Sequence, residues 1–150
     1  MAKLVRVILG SKSDLTEGNK IKEYLEMFNI EYDFFISSAH RNPEKTTKLV
    51  KEAEKNGYQI FIAAAGMAAH LPGVIAAQTT LPVIGVPLKG NTLSGEDALF
   101  SVVQMPTGIP VATVAINGSK NSAILAAQIL SIKYPDIREK YLKYREDLSK

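Results

Sequence analysis

Short apolar runs alternate along the chain with longer segments whose apolar residues recur at helical spacing. Five runs have the continuous apolar character of strands in a parallel sheet, namely residues 4–9, 32–36, 59–65, 81–86 and 110–116. Helical spacing predicts helices over residues 15–28, 43–57, 95–103, 119–132 and about 135–149. Strands that alternate with helices predict an α/β fold, a three-layer α/β/α sandwich around a parallel five-stranded sheet.

Composition limits the chain to an ordinary globular class. Its 150 residues are 46% hydrophobic and 22% charged, which predicts a single domain over residues 1–150. The net charge is only +3, and the basic residues are interspersed with acidic ones, so we expect no nucleic-acid partner. The absence of cysteine excludes a thiolate nucleophile and a disulfide framework.

Targeting signals are not apparent in the sequence. The first residues lead directly into a strand-like segment and lack a signal-peptide pattern. Prolines interrupt the longest apolar stretches, which excludes a membrane-spanning helix; they are Pro72, Pro82, Pro87, Pro106 and Pro110. We therefore expect a cytoplasmic protein with no membrane partner.

Polar residues follow the predicted strands at the points where those strands end. The loops at 10–14, 38–43, 65–73 and 87–94 all leave carboxyl ends, where ligands of open parallel sheets bind. A strand order of 2-1-3-4-5 places the first three of these loops side by side. The sequence therefore predicts one ligand site built from distant loops.

The first two loops carry groups suited to an anion and a proton. Ser11 and Ser13 stand where a tight turn enters a helix, whose free amides attract anions, although Ser13 or Asp14 could simply cap that helix. In the second loop, His40 is followed by Arg41, whose planar guanidinium suits phosphate oxygens. A histidine titrates near neutrality, so His40 is a candidate acid and base, the alternative being a bond to backbone.

The third loop combines small residues with the second histidine of the chain, His70. Small residues allow a flat ligand to approach the backbone, whereas the alternative is close packing of a helix on the sheet. A metal site of both histidines with Asp14 is conceivable, but no carboxylate has ligand spacing to either histidine. We therefore expect no metal.

Six motifs, in order, resemble one family of purine-biosynthesis enzymes. They are GSKSD at 10–14, SAHRNP at 38–43, AAHLPG at 68–73, PVIGVP at 82–87, VQMPTGIPVAT at 103–113 and LAAQIL at 125–130. In this order they resemble the N5-carboxyaminoimidazole ribonucleotide mutases, the class I family of phosphoribosylaminoimidazole carboxylase catalytic subunits. The resemblance spans residues 5–130. Ala64 and Met67 depart from it, since the family usually has glycine there, and the loop at 117–121 is shorter.

The resemblance implies a flavodoxin-like fold, a homo-octamer and a reaction without cofactor or metal. The reaction moves a carboxylate from the exocyclic nitrogen of the ribonucleotide to ring carbon four, with carbon dioxide as a trapped intermediate. His40 is implied as the acid and base. The implied substrate-binding residues are Ser11, Ser13, Asp14, Ser38, Arg41, Gly66, Ala69, His70 and Leu71.

Two other functions fit the same sequence. One is an aminoimidazole ribonucleotide carboxylase that uses carbon dioxide directly, a related class that differs in the AAHLPG loop. The other is a non-catalytic module that binds a nucleotide or a flavin on the same type of sheet, and it needs no histidine.

Overall fold

One parallel sheet of five strands runs through the computed structural model, which describes residues 2–150. The strands are β1 (Val5–Leu9), β2 (Tyr32–Ile36), β3 (Ile60–Gly66), β4 (Val83–Leu88) and β5 (Ala112–Thr113). Their spatial order is β2-β1-β3-β4-β5, and every neighbouring pair is parallel. This is the flavodoxin-like order, which confirms the predicted sheet.

Helices connect the strands and follow the last one. They are α1 (Leu15–Met27), α2 (Pro43–Lys55), α3 (Leu71–Ala76), α4 (Glu96–Val103), α5 (Ser119–Ser131) and α6 (Pro135–Leu148). Short 3-10 turns at Lys12–Asp14 and Leu93–Gly95 precede α1 and α4.

The core lies on both faces of the sheet, which explains why the strands are apolar without alternation. Val7 of β1 belongs to a buried cluster with residues of α1, α5 and α6, whereas the adjacent Ile8 packs with residues of α2, α3 and α4. Successive side chains of a strand point to opposite faces, so these two clusters form the two interfaces of a three-layer sandwich.

Helix α6 packs on the core of its own chain. Ile137 is buried, and the rings of Tyr141 and Tyr144 lie 6.3 and 5.5 Å from the ring of Phe28, which follows α1. Helix α6 therefore contacts the hydrophobic core of its own chain.

Two elements differ from the sequence prediction. Helix α3 was not predicted, because Pro72 and Gly73 favour a turn, yet Pro72 lies in the first helical turn, where its missing N–H costs nothing. Strand β5 spans only Ala112–Thr113 instead of 110–116. Beyond the strand, the N–H of Val114 still donates to the Gly85 carbonyl at 3.2 Å and the N–H of Asn117 to the Pro87 carbonyl at 2.8 Å, so the chain stays beside β4 without regular strand pairing.

A search of residues 2–150 for a helix with the length and apolar character of a membrane span finds none.

Candidate active site

The carboxyl ends of β1, β2 and β3 bring the predicted loops together. The N–H of Gly10 donates to the Ala64 carbonyl at 3.0 Å, and the N–H of Ser37 donates to the Leu9 carbonyl at 2.8 Å. These bonds continue the sheet pairing one residue beyond the strands. The three loops therefore begin from one rigid edge.

The loop after β1 is a serine-capped turn. Ser11 Oγ accepts bonds from the N–H of Ser13 at 3.3 Å and from the Ser13 hydroxyl at 3.0 Å. Asp14 lies at the end of the 3-10 turn and is partly buried. Burial raises the pKa of Asp14 above its ordinary value of 3.8, and a hydrogen bond with the Ser11 backbone partly opposes this.

The loop after β2 holds His40 and Arg41 between fixed ends. The N–H of Arg41 donates to Ser38 Oγ at 3.0 Å, and Asn42 caps α2 by accepting from the N–H of Lys45 at 3.2 Å. Beneath the loop, the buried hydroxyls of Ser37 and Thr46 are 2.7 Å apart. This cap fixes where the loop ends and α2 begins.

The loop after β3 turns sharply toward the second loop. Met67 has a φ of 55°, in the left-handed region, and its carbonyl accepts from the N–H of Ala69 at 2.8 Å. The N–H of His70 donates to the Ala68 carbonyl, also at 2.8 Å. These two tight turns direct His70 back across the sheet edge.

The two histidines of the chain are in direct contact. His40 Nε2 and His70 Nδ1 are 2.8 Å apart, and the rings meet edge to face at 80°. A hydrogen bond at this distance needs a proton on one of the two nitrogens, so the tautomer of one ring determines which nitrogen of the other ring can face it. Both side chains are exposed, within reach of a ligand.

A cleft of about 560 Å³ opens between these loops. Its size suits a nucleotide-sized ligand. Nine of the ten predicted site residues line it: Ser11, Ser13, Asp14, Ser38, His40, Arg41, Gly66, His70 and Leu71.

Ala69 is the predicted substrate contact that the structure places elsewhere. It is fully buried and packs with Leu71 and Ile75 in the core between the sheet and α3. Its N–H is already bonded to Met67. The tight turns before α3 are the physical reason, because they expose Met67 and Ala68 and fold Ala69 beneath them.

The fourth wall of the cleft comes from the loop at 87–94, which the sequence placed at this edge of the sheet, although none of its residues was predicted to contact the substrate. Lys89, Gly90 and Asn91 follow β4 and line the cleft. In the spatial order of the strands, β4 lies on the far side of β1 and β3 from β2, so these residues lie opposite the loop after β2. The N–H of Lys89 donates to Asn117 Oδ1 at 2.9 Å, which ties this loop to the segment before α5. Their position at the carboxyl end of a predicted strand was the one sequence signal for a place in the site, since their residue types did not indicate a particular role.

The charges of the cleft favour an anionic ligand. Arg41 and Lys89 contribute two cations to the lining described within residues 2–150, and Asp14 contributes the one carboxylate. A search of the same residues for three clustered His, Asp or Glu side chains finds no such group.

Comparison with known proteins agrees with this geometry. Residues 4–150 match the family described as AIR carboxylase. The chain belongs to this family. N5-carboxyaminoimidazole ribonucleotide mutases from Pyrococcus abyssi and Thermotoga maritima are each 54% identical to it over 146 residues, 97% of this chain and 84% and 85% of theirs.

The fold also matches a solved member of the family. A crystal structure of Treponema denticola PurE superimposes with a TM-score of 0.91 at 32% identity, covering 98% of this chain and 92% of that one. The family membership expected from the six motifs is therefore confirmed across nearly the whole chain.

Proposed function

We propose that this protein is an N5-carboxyaminoimidazole ribonucleotide mutase of purine biosynthesis. The observation that carries the proposal is the His40–His70 pair in an anion-favouring cleft of a chain 54% identical to mutases. The substrate is N5-carboxyaminoimidazole ribonucleotide and the product is its 4-carboxy isomer. The reaction is an isomerisation, so it consumes no ATP.

Different residues of the cleft bind the phosphate, the ribose and the base of the substrate. Arg41 binds the phosphate through its planar guanidinium, and the hydroxyls of Ser11, Ser13 and Ser38 donate further hydrogen bonds. Asp14 accepts from the ribose hydroxyls, because a carboxylate next to the phosphate would be repelled. Gly66 and Leu71 form the wall against the base.

His40 moves the proton in both halves of the reaction. As the bond between the exocyclic nitrogen and the carboxyl carbon breaks, His40 protonates that nitrogen and carbon dioxide is released. Ring carbon four then attacks the carbon dioxide, and neutral His40 removes the proton from that carbon. An acid and base of this kind contributes about 10²–10⁴ in rate.

His70 supports this cycle through the 2.8 Å contact with His40. It holds the His40 ring in one orientation and contacts the substrate from the β3–α3 loop. Retention of the released carbon dioxide matters equally, because the second half then needs no new encounter in solution.

The proposal extends to the assembly and its location. Residues 1–150 act as one mutase domain, eight copies form a homo-octamer, and the protein works in the cytoplasm without metal or organic cofactor. Exposed apolar side chains on α4, Phe100 and Val103, support association between copies.

The alternative within the family is direct carboxylation of aminoimidazole ribonucleotide by carbon dioxide. The two activities are separated by supplying either the N-carboxylated nucleotide or aminoimidazole ribonucleotide with bicarbonate, and following product by ultraviolet absorbance. We expect rapid conversion of the first and slow conversion of the second. The reverse preference would favour the carboxylase, and binding without conversion would favour a nucleotide-binding module.

A further inference from the structure

Two buried hydroxyls lie beneath the loop that carries His40. Thr46, in the second turn of α2, is fully buried, and Ser37, the residue after β2, is 2% exposed. Their hydroxyl oxygens are 2.7 Å apart. A hydroxyl away from water needs hydrogen-bond partners, because an unpaired one costs free energy. The remaining partners of Thr46 connect it to the loop above.

The Thr46 hydroxyl reaches both ends of this loop. Its Oγ1 atom is 3.2 Å from the Asn42 carbonyl oxygen and 3.5 Å from the Ser38 carbonyl oxygen. Its one proton faces these carbonyls, so the Ser37 hydroxyl is the donor in the bond between the two hydroxyls. The N–H of Ser37 also donates to the Leu9 carbonyl of β1 at 2.8 Å. Thr46 therefore joins both ends of the loop to a residue that is fixed on the sheet.

The requirements of helix α2 do not account for these contacts. A helical threonine commonly bonds the carbonyl four residues earlier, and this explains the contact with Asn42 alone. Ser38 and Ser37 lie eight and nine residues before Thr46, outside the helix. Valine has nearly the same volume and helix propensity as threonine and would fill this buried position without a polar group. The hydroxyl therefore acts on the loop.

We propose that Thr46 is a positioning residue, which holds the loop so that the His40 ring stays in contact with His70. The inference rests on the proposed mutase function, in which one imidazole transfers a proton first at nitrogen and then at carbon. Both transfers need the ring within hydrogen-bond reach of the reacting atom, so a displaced ring slows both.

Kinetics of Thr46→Val test this role. The substitution removes the hydroxyl and keeps the shape of the side chain. With N5-carboxyaminoimidazole ribonucleotide as substrate, we expect kcat to fall roughly 10- to 100-fold, the effect of a small misplacement of a catalytic group. KM should change much less, because the long side chain of Arg41 can still reach the phosphate. Thr46→Ser retains the hydroxyl and should recover most of the lost kcat.

The histidine rings supply a second measurement, which a loss of stability alone does not change. The chain has only two histidines, so the ring nitrogens of untagged ¹⁵N-labelled protein give two sets of NMR signals. In mildly alkaline buffer, the bond between His40 and His70 sets the tautomers of the neutral rings and hence these signals. In Thr46→Val we expect both sets to move toward the values of free imidazole, because the contact is weakened.

Thr47→Val is the matched control. Thr47 is the next residue of α2 and lies in an outer groove of the helix with Lys48 and Lys51. This variant should leave kcat and the ring signals as in the wild type. Ser37→Ala removes the other buried hydroxyl but leaves Thr46 its bonds to the loop, and it should lower kcat less than Thr46→Val does.

The outcomes separate this inference from the proposed function. A wild type that forms no 4-carboxy product contradicts the mutase function itself. With an active wild type, the role of Thr46 alone is overturned if Thr46→Val keeps its kcat, or if kcat falls without a change in the ring signals. A loss that Thr46→Ser does not recover, or that Thr47→Val shares, overturns it as well.

Thermal melts establish that each variant is folded in the assay. If Thr46→Val is not, the double variant Ser37→Ala/Thr46→Val takes its place with the same expected results, because removal of both hydroxyls leaves neither one buried and unpaired.

Discussion

Removal of the Arg41 side chain tests whether this residue binds the phosphate of the substrate. Replacing it with alanine removes the charged donor from a cleft that it lines, and bonds to charged groups contribute about 1.5–3 kcal/mol. We expect Arg41→Ala to weaken binding of aminoimidazole ribonucleotide roughly 10- to 150-fold, by titration calorimetry, at that energy. Lys51→Ala, an exposed cation on α2, is the control for net charge. Unchanged affinity with a collapse of turnover would contradict the assignment.

The partly buried carboxyl group of Asp14 should lower the stability of the fold at neutral pH while it contributes to nucleotide binding. Burial raises its pKa above 3.8 in the folded state, so ionisation at neutral pH costs folding free energy. The favourable contribution of the protonated form is present below pH 3.8 and is lost as the pH rises through the folded-state pKa. We therefore expect Asp14→Asn to be more stable than the wild type at pH 7 and to lose this advantage toward pH 3.8.

Denaturant unfolding across this pH range measures the effect, and calorimetry at pH 7 should show weaker nucleotide binding by the same variant. A wild type more stable than Asp14→Asn at neutral pH would show that ionised Asp14 has a favourable partner in the fold.

Most of the residues that line the cleft could be predicted from the sequence, but the position of Ala69 and the contact between the two histidines could not. His40, Arg41 and Asp14 are predictable because their residue types have distinctive chemistry and follow strands. The buried position of Ala69 could not be predicted, because a small apolar residue in a loop is equally compatible with contact to a ligand and with packing in the core. The contact between His40 and His70 needed the fold, since thirty residues separate them.

The position of α1 on the sheet depends on a close approach at Gly18. A Cβ atom there would lie 2.6 Å from Leu9 Cδ1 and 2.7 Å from Phe34 Cζ. Overpacking of this kind costs about 1–3 kcal/mol, which exceeds the gain of about 1 kcal/mol in helix propensity. Since α1 begins at the serine-capped turn of the cleft, its displacement also reaches the site.

We expect Gly18→Ala to lower the free energy of unfolding by about 1 kcal/mol in guanidinium unfolding, the difference between those terms. Asn19→Ala, exposed on the same helix, should instead raise it by a few tenths of a kcal/mol. Equal gains in both variants would show that α1 can move away from the sheet without cost.

Among the elements, those with strong periodicity were predictable and the shortest were not. Tyr32–Ile36 and the start of α2 at Pro43 coincide with the prediction, since a bounded apolar run and an Asn-Pro cap are local signals. Helix α3 has only six residues, too few for a period to be recognised. The length of β5 depends on how regularly the segment after Thr113 pairs with β4, which is a tertiary effect.

Association of the whole molecule is predicted to involve α4. Phe100 and Val103 are 57% and 43% exposed, and their spacing of three residues places them side by side on the helix. A charge at this patch opposes its burial between copies. We expect light scattering to show a smaller assembly for Phe100→Glu than for the wild type, whereas Lys51→Glu on α2 should not change the mass. Identical masses for Phe100→Glu and the wild type would exclude α4 from the interface.

The account as a whole depends on a proton carried by His40 through both halves of one isomerisation. The most direct measurement is the ATP-free conversion of N5-carboxyaminoimidazole ribonucleotide, followed by ultraviolet absorbance, in the wild type and in His40→Asn. We predict turnover by the wild type and a loss of at least about 10²-fold in the variant, with nucleotide binding retained. Turnover by His40→Asn at the wild-type rate would contradict the account.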